Sequence, residues 1–187
     1  MTAEPPTTPP PKATVRASSL VLVNTGDGKG KSTAAFGTVM RAVARGWKVA
    51  VVQFLKSEDW GVGEEKVARD LGVDWWTLGD GFTWDSDDMD RSRAIAVEAW
   101  RHARKVIESG DYELVVLDEV TYPVNWGWIP LDEVVATIRG RPDKVNLIMT
   151  GRDAPPEIVD IADTVTEMRK VKHAFDAGIA ARRGIDY

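Results

Sequence analysis

Apolar residues in this chain fall into short runs, separated by longer stretches whose apolar positions repeat with helical spacing. Leu20-Val21-Leu22-Val23 is such a run, and it stops at Asn24-Thr25-Gly26, which predicts a buried strand entering a glycine loop. Beyond that loop Ala34, Ala35, Thr38, Val39, Ala42 and Val43 recur at intervals of three and four, so one face of a helix is apolar. Gly46 falls where a left-handed cap would end it. The alternation continues with a strand over Val49–Phe54, a helix over Glu64–Leu71 closed by Gly72, and a strand over Val73–Leu78. A long helix follows from about Asp88 to Ser109 with Gly110 behind it, then a strand at Leu114–Leu117 and a helix at Leu131–Arg139. The last elements are a strand at Asn146–Thr150, a short helix at Pro155–Ile161 and a strand at Thr164–Met168. Strands apolar on both faces, each separated by a helix, predict an α/β fold: a parallel sheet of about six strands with helices on both faces. Ligands of such sheets bind outside the carboxyl ends of the strands, so chemistry is expected in the loops after positions 25, 54, 78, 117 and 150.

The start of the chain breaks this pattern. Five of the ten prolines lie in MTAEPPTTPPP, and such sequence favours extended backbone over a packed core. Residues 1–18 are therefore expected to be a tail and residues 19–187 one domain, a size that 187 residues with 43% hydrophobic content allow. With 24 Lys plus Arg against 29 Asp plus Glu, the net charge of −5 offers no broad cationic surface, so nucleic acid is not an expected partner. The absence of Cys excludes disulfides, thiolate metal sites and a cysteine nucleophile. No apolar run approaches the ~20 residues needed to span a bilayer, and no signal-peptide pattern is visible, so no membrane partner and a cytoplasmic location are expected.

The most informative segment is Thr25-Gly26-Asp27-Gly28-Lys29-Gly30-Lys31-Ser32-Thr33, set between a predicted strand and a predicted helix. In that context it reads as a phosphate-binding loop: glycines let backbone N–H groups turn inward, the helix N-terminus and Lys31 add positive charge, and the Ser32 hydroxyl can reach a magnesium ion. The usual pattern places glycine five residues before Gly30, where this chain has Thr25; the glycine is displaced to Gly26. Asp118 and Glu119 end the apolar run Leu114–Leu117, so either can face a metal held at Ser32. Arg152, just past the fifth predicted strand, is a candidate for stabilising charge on a phosphate, with a surface charge as the alternative.

These residues resemble the P-loop ATP:corrinoid adenosyltransferases of the cobalamin pathway. The resemblance covers about residues 20 to 187 and rests on six blocks: the loop through Ala35, Gln53-Phe54-Leu55-Lys56, Gly81-Phe82-Thr83-Trp84, Val116 to Tyr122, Thr150-Gly151-Arg152, and Val171 to Gly178. The displaced glycine is the family's own form of the loop. The resemblance implies a RecA-like P-loop fold, a homodimer, and transfer of the 5′-deoxyadenosyl group of ATP to the Co(I) of a corrinoid with release of triphosphate. It implies Mg²⁺ or Mn²⁺ at the phosphates and an electron donor for Co(II), such as a flavoprotein. Phe82 and Trp84, in a glycine-flanked loop, become candidates for contact with the flat macrocycle, and His173 for binding near the nucleotide or corrinoid. The family often carries a charged N-terminal helix where this chain has its proline-rich segment.

Elementary chemistry is consistent with that reaction. Co(I) is a nucleophile with no proton to lose, so attack on C5′ needs no general base, and a chain with two histidines and no cysteine has few to offer. What remains is to position C5′ and to stabilise a leaving triphosphate, for which Lys31 and Arg152 are the catalytic candidates. A small-molecule kinase or RecA-like ATPase, and a non-catalytic ATP and corrinoid carrier, are the alternatives. Among the other residues, Trp75 and Trp76 are expected in the core, Trp126 and Trp128 in either core or site, and His102 at the surface. Asp80, Asp85, Asp87, Asp88 and Asp90 read as a solvated helix start.

Overall fold

The structure, a computed structural model, describes residues 8, 13–56, 63–79 and 89–186. The proline-rich start, apart from residues 8 and 13–18, and the segment with Phe82 and Trp84 lie outside the described residues. Among the described residues, six strands form one sheet: β1 (Val21–Thr25), β2 (Val49–Phe54), β3 (Asp74–Leu78), β4 (Leu114–Asp118), β5 (Asn146–Thr150) and β6 (Thr164–Glu167). Their order is β3-β2-β4-β5-β1-β6, and every neighbouring pair is parallel. The helices are α1 (Lys31–Val43), α2 (Gly63–Asp70), α3 (Met89–Ser109), α4 (Thr121–Asn125), α5 (Leu131–Arg139) and α6 (Pro156–Ile161), followed by a 3₁₀ turn at Ala174–Ala177.

Alternation along the strands divides the interior into two layers. Val49 and Val51 of β2, with Leu114 and Val116 of β4, face Ala35, Phe36, Val39 and Ala42 of α1 and Ala68 of α2. Ala50 and Val52, with Val115 and Leu117, face the other way, onto Ala99, Trp100 and Ala103 of α3, Val134 and Ile138 of α5 and Ile158 of α6. Both faces of β2 and β4 are thus buried, which is why these strands read as unbroken apolar runs. Trp100, 2% exposed with its indole N–H on Glu133 at 3.1 Å, is the largest fully buried side chain among the described residues, and its truncation to Ala should cost about 3–5 kcal/mol.

Two expectations need correction, and one short helix was not expected at all. β6 is not covered on both sides; all four of its residues are exposed, because it is the edge strand beyond β1. The short α4 carries Pro123 within its five residues and has no long apolar periodicity to announce it. His102 is not a plain surface residue: its ring meets Trp76 edge-on at 4.5 Å and burial lowers its pKa, with Lys105 adding to the effect. Trp75 is buried as expected, Trp76 is partly buried against the core, and Trp126 is exposed.

Candidate active site

The turn after β1 carries out what its sequence suggests, with a reason for the displaced glycine. Thr25 still belongs to the strand, where its Oγ1 accepts a hydrogen bond from the Ala154 N–H at 3.1 Å. Gly26 has φ of 93°, and a Cβ there would lie 2.6 Å from the Met168 carbonyl oxygen. The glycine must therefore sit one residue later, where the chain presses on the segment leaving β6. Gly28 is held at the same place: its N–H donates to the Met168 carbonyl at 2.5 Å, and a Cβ would come within 2.7 Å of that carbonyl. Gly30, at φ 110°, then caps α1, whose first residue is Lys31.

The Lys31 ammonium donates to the carbonyls of Gly26 and Gly28, each at 2.8 Å, so it lies inside the curl of the loop. Burial and the nearby Arg152 guanidinium hold its pKa below the ordinary lysine value, against the pull of Glu119, Asp27 and Asp118. Asp27, Gly28, Lys29, Gly30, Lys31, Ser32 and Thr33 all line one cavity of about 400 Å³. Phe36, Lys56, Glu64, Glu119, Tyr122, Arg152, Lys170, His173 and Asp186 are among the rest of its wall. Thr25 and Gly26 lie beneath this wall and do not face the cavity.

The two acids after β4 occupy different places. Asp118 is fully buried and does not reach the cavity. Its Oδ1 accepts from the Thr150 hydroxyl at 2.7 Å, its Oδ2 from Gln53 Nε2 at 2.9 Å and Lys56 Nζ at 3.3 Å, and the Ser32 side chain bonds it too. Burial alone would raise this carboxyl, yet Lys56 and the donors of Gln53, Ser32 and Thr150 outweigh it and hold the pKa low. Glu119, with a left-handed φ of 63° and its N–H on Thr150 Oγ1 at 2.9 Å, turns into the cavity instead. Burial, then the neighbouring Asp118 charge, push its pKa up to about 7 despite Lys56, Lys31 and Arg152.

β5 lies between the loop-bearing β1 and the acid-bearing β4, so Thr150 at its end ties Asp118 and the Glu119 backbone together. The next residues are clamped by α4: Thr121 Oγ1 donates to the Arg152 carbonyl at 2.7 Å, and Asn125 Nδ2 to the Asp153 carbonyl at 2.9 Å. This sets the Arg152 side chain on the cavity wall. On the opposite wall, His173 caps the 3₁₀ turn by accepting from the Phe175 N–H at 3.1 Å, and Lys29 pairs with Asp186 at 2.7 Å.

The structure thus gathers Lys31, Ser32, Glu119, Arg152 and His173 around one cavity and places Asp118 behind it. Phe82 and Trp84 lie outside the described residues. Sequence reasoning left Lys56, Tyr122, Lys170 and Asp186 without a role, although all four line the cavity. Lys56 could have been found by the same positional rule as Arg152, since it follows the end of a buried strand.

An all-parallel sheet with a glycine loop and lysine at the start of α1, and a buried acid on a separate strand, defines a P-loop nucleotide-binding enzyme of the α/β class. Within that class, the chain belongs to the ATP:corrinoid adenosyltransferase family BtuR/CobO/CobP, whose family model matches residues 17–187. It is similar to the corrinoid adenosyltransferase of Escherichia coli (strain K12), with 46% identity over 168 residues, spanning 90% of this chain and 85% of that protein. The corrinoid adenosyltransferase CobA of Salmonella typhimurium (strain LT2) is 44% identical over 168 residues, with the same 90% and 85% spans. A corrinoid adenosyltransferase of Pseudomonas aeruginosa is 45% identical over 170 residues, spanning 90% of this chain and 83% of its own.

Proposed function

We infer that this corrinoid adenosyltransferase of the cobalamin pathway uses the cavity between β1, β2, β4 and β5 as the triphosphate end of its ATP site. The enzyme transfers the 5′-deoxyadenosyl group of ATP to the Co(I) of a corrinoid and releases triphosphate. The observation that carries the site assignment is the Lys31 ammonium held in the curl of the loop beside Ser32, Glu119 and Arg152. A triphosphate needs cations, N–H donors and a water-poor wall, and these residues supply them without a general base. Lys31 and Arg152 act on the charge of the leaving triphosphate, and the backbone of residues 27–33 cradles it, with Thr25 and Gly26 supporting the loop from beneath.

The oxygen set of Ser32, Asp118 and Glu119 suits a hard divalent cation such as Mg²⁺, with Mn²⁺ a substitute. Such an ion would be held by the Ser32 hydroxyl and Glu119 together with phosphate oxygens, Asp118 orienting Ser32 from behind. When bound it would neutralise phosphate charge. His173 sits at the rim for binding nucleotide or corrinoid, and we keep Phe82 and Trp84 as the corrinoid contacts that the family resemblance suggests. A homodimer, a flavoprotein-type electron donor and a cytoplasmic setting complete the reading; among the described residues no helix is long and apolar enough to cross a membrane. A single domain from residue 19 is supported by Arg141 donating to Ser19 Oγ and Leu20 N–H to Asn146, while residues 13–18 are exposed.

The test is the phosphorus product. Incubation with ATP, Mg²⁺ and chemically reduced corrinoid, followed by ³¹P NMR, should show inorganic triphosphate together with a new Co–C absorbance spectrum. ADP as the product would point to a kinase or ATPase, and binding of both ligands with no Co–C bond would point to a carrier.

A further inference from the structure

The cavity holds a lysine to which no role has been given, and its backbone is built to aim it. Leu55, directly after β2, takes a left-handed φ of 65°, and the Lys56 N–H closes a tight turn onto the Phe54 carbonyl at 2.8 Å. Gly79 packs on this turn so closely that a Cβ would lie 2.4 Å from the Leu55 carbonyl carbon and 2.5 Å from the Lys56 carbonyl oxygen. A non-glycine residue in left-handed backbone costs about 1–3 kcal/mol and persists only where the surroundings over-determine it. The turn sends the Lys56 side chain inward, 12% exposed, to the end of the sheet where Ser32, Glu119 and Arg152 also converge.

We propose that Lys56 is a second lysine for the triphosphate, acting beside Lys31 on the negative charge that appears as the C5′–O bond of ATP breaks. The proposal rests on the triphosphate reading of this cavity. In that step the Co(I) electron pair forms the Co–C5′ bond, and the C5′–O bonding pair departs with the α-phosphate oxygen. Cobalt becomes formally Co(III), and the leaving group gains one negative charge over ATP.

Three observations favour Lys56 as a recipient of that charge. Its ammonium has three donors, and among the described residues one contact is made, to Asp118 at 3.3 Å. Asp118 does not depend on it for hydrogen bonding, because Gln53 serves the same oxygen at 2.9 Å, Thr150 the other at 2.7 Å, and Ser32 adds a further bond. Finally, Lys56 lines the cavity whereas Asp118 does not, so the pair joins a buried anion to a cation with access to ligand. A flexible four-carbon stem lets the ammonium stay on Asp118 in the ATP complex and share itself with the leaving oxygens afterwards. A group that strengthens its contact as charge develops raises turnover more than ground-state binding.

Calorimetric titration of ATP and of inorganic triphosphate, separately, into wild type and Lys56→Met tests this. The expected result is that Lys56→Met weakens triphosphate binding at least ~10-fold and ATP binding less than ~3-fold, with kcat lowered on the order of 10²-fold and Lys56→Arg recovering most of the triphosphate affinity. Because Lys56→Met leaves a buried carboxylate without its counter-ion and can fail to fold, Asp118→Asn is compared with Asp118→Asn/Lys56→Met, which contains no such lone charge. The double variant should bind triphosphate at least ~10-fold more weakly than Asp118→Asn. Equal triphosphate affinities in that pair, or equal losses of ATP and triphosphate affinity with a matching fall in Tm, overturn the proposal. Co–C bond formation by the wild type, read by absorbance, tests the adenosyltransfer reading separately.

Discussion

The cavity has two walls built on opposite plans. On the β2, β4 and β5 side the lining residues Lys56, Glu119 and Arg152 are backed by interior ones: Asp118, Gln53 and Thr150 are all fully buried, and Asp118 is bonded to both of the others. On the β6 side the wall is main chain and surface: the Met168 carbonyl meets the Gly28 N–H, and the ion pairs Lys29–Asp186 and Lys170–Asp176 each have a partner close to half exposed. The first wall has its geometry set by the same sheet that makes the core. The second is held by contacts that salt screens and side-chain entropy opposes, each worth about 0–1 kcal/mol. Preorganisation for charge chemistry should therefore reside in the buried wall, and ligand entry in the exposed one.

The harshest break of this contrast is at Lys31, which both walls share. Lys31→Ala should reduce kcat/KM for adenosylation on the order of 10³-fold with an unchanged circular dichroism spectrum. Near wild-type turnover at saturating ATP would remove the phosphate-loop assignment. Next comes the exposed wall. Gly28→Ala puts a methyl into the Met168 and Arg169 backbone, so the loop must shift, and ATP affinity should fall about 10²-fold. Gly37→Ala is its control, since nothing lies within 4 Å of that Cβ; the exchange should be neutral or stabilise by about 0.5–1 kcal/mol in thermal denaturation.

Glu119 sharpens the picture of the buried wall. Its carboxyl titrates near 7 in the folded chain, above the ordinary value of 4.5. A raised pKa means that the folded state holds the proton more tightly, so this residue's stabilising contribution is full below about pH 4.5 and is lost as pH rises through 7. In the absence of ATP and divalent metal, Glu119→Gln should have a Tm several degrees above wild type at pH 8, and that margin should shrink steadily to nothing near pH 4.5. A margin independent of pH would mean that Glu119 is not strained by burial. The mildest change is Asp186→Asn, which removes an exposed pair with Lys29. It should leave the urea midpoint essentially unchanged, and a clear fall in that midpoint would show the outer wall to be more than a surface feature.

Legibility from sequence follows the same divide, though for another reason. The phosphate loop, Asp118-Glu119 and Arg152 were readable because each lies at the end of an apolar run, a local signal. Lys56 follows an apolar run and was open to the same positional reading; what no window of spacing reaches is its partner Asp118, 62 positions away. The displacement of glycine from 25 to 26 was visible, but its cause was not, since the obstacle is the main chain at Met168. β6 deceived by its predecessors: after five strands, four of them interior, its sequence Thr-Val-Thr-Glu looked like a sixth, although its polar alternation already belonged to an edge.

The order in which the chain is made gives the Gly28–Met168 contact a further meaning. A nascent chain that has emerged as far as residue 163 already contains β1 to β5 and every side chain proposed to hold the phosphates, except the rim residues. It still lacks β6, the strand that pairs with Leu22 to Thr25 and delivers the carbonyl on which the loop rests. Domains made at about 5–20 residues per second leave such a form in existence for seconds. During that interval the loop has its charges and glycines but no buttress, so nucleotide affinity arrives late, with the final strand, and an ATP analogue captured by stalled ribosome complexes would date its arrival.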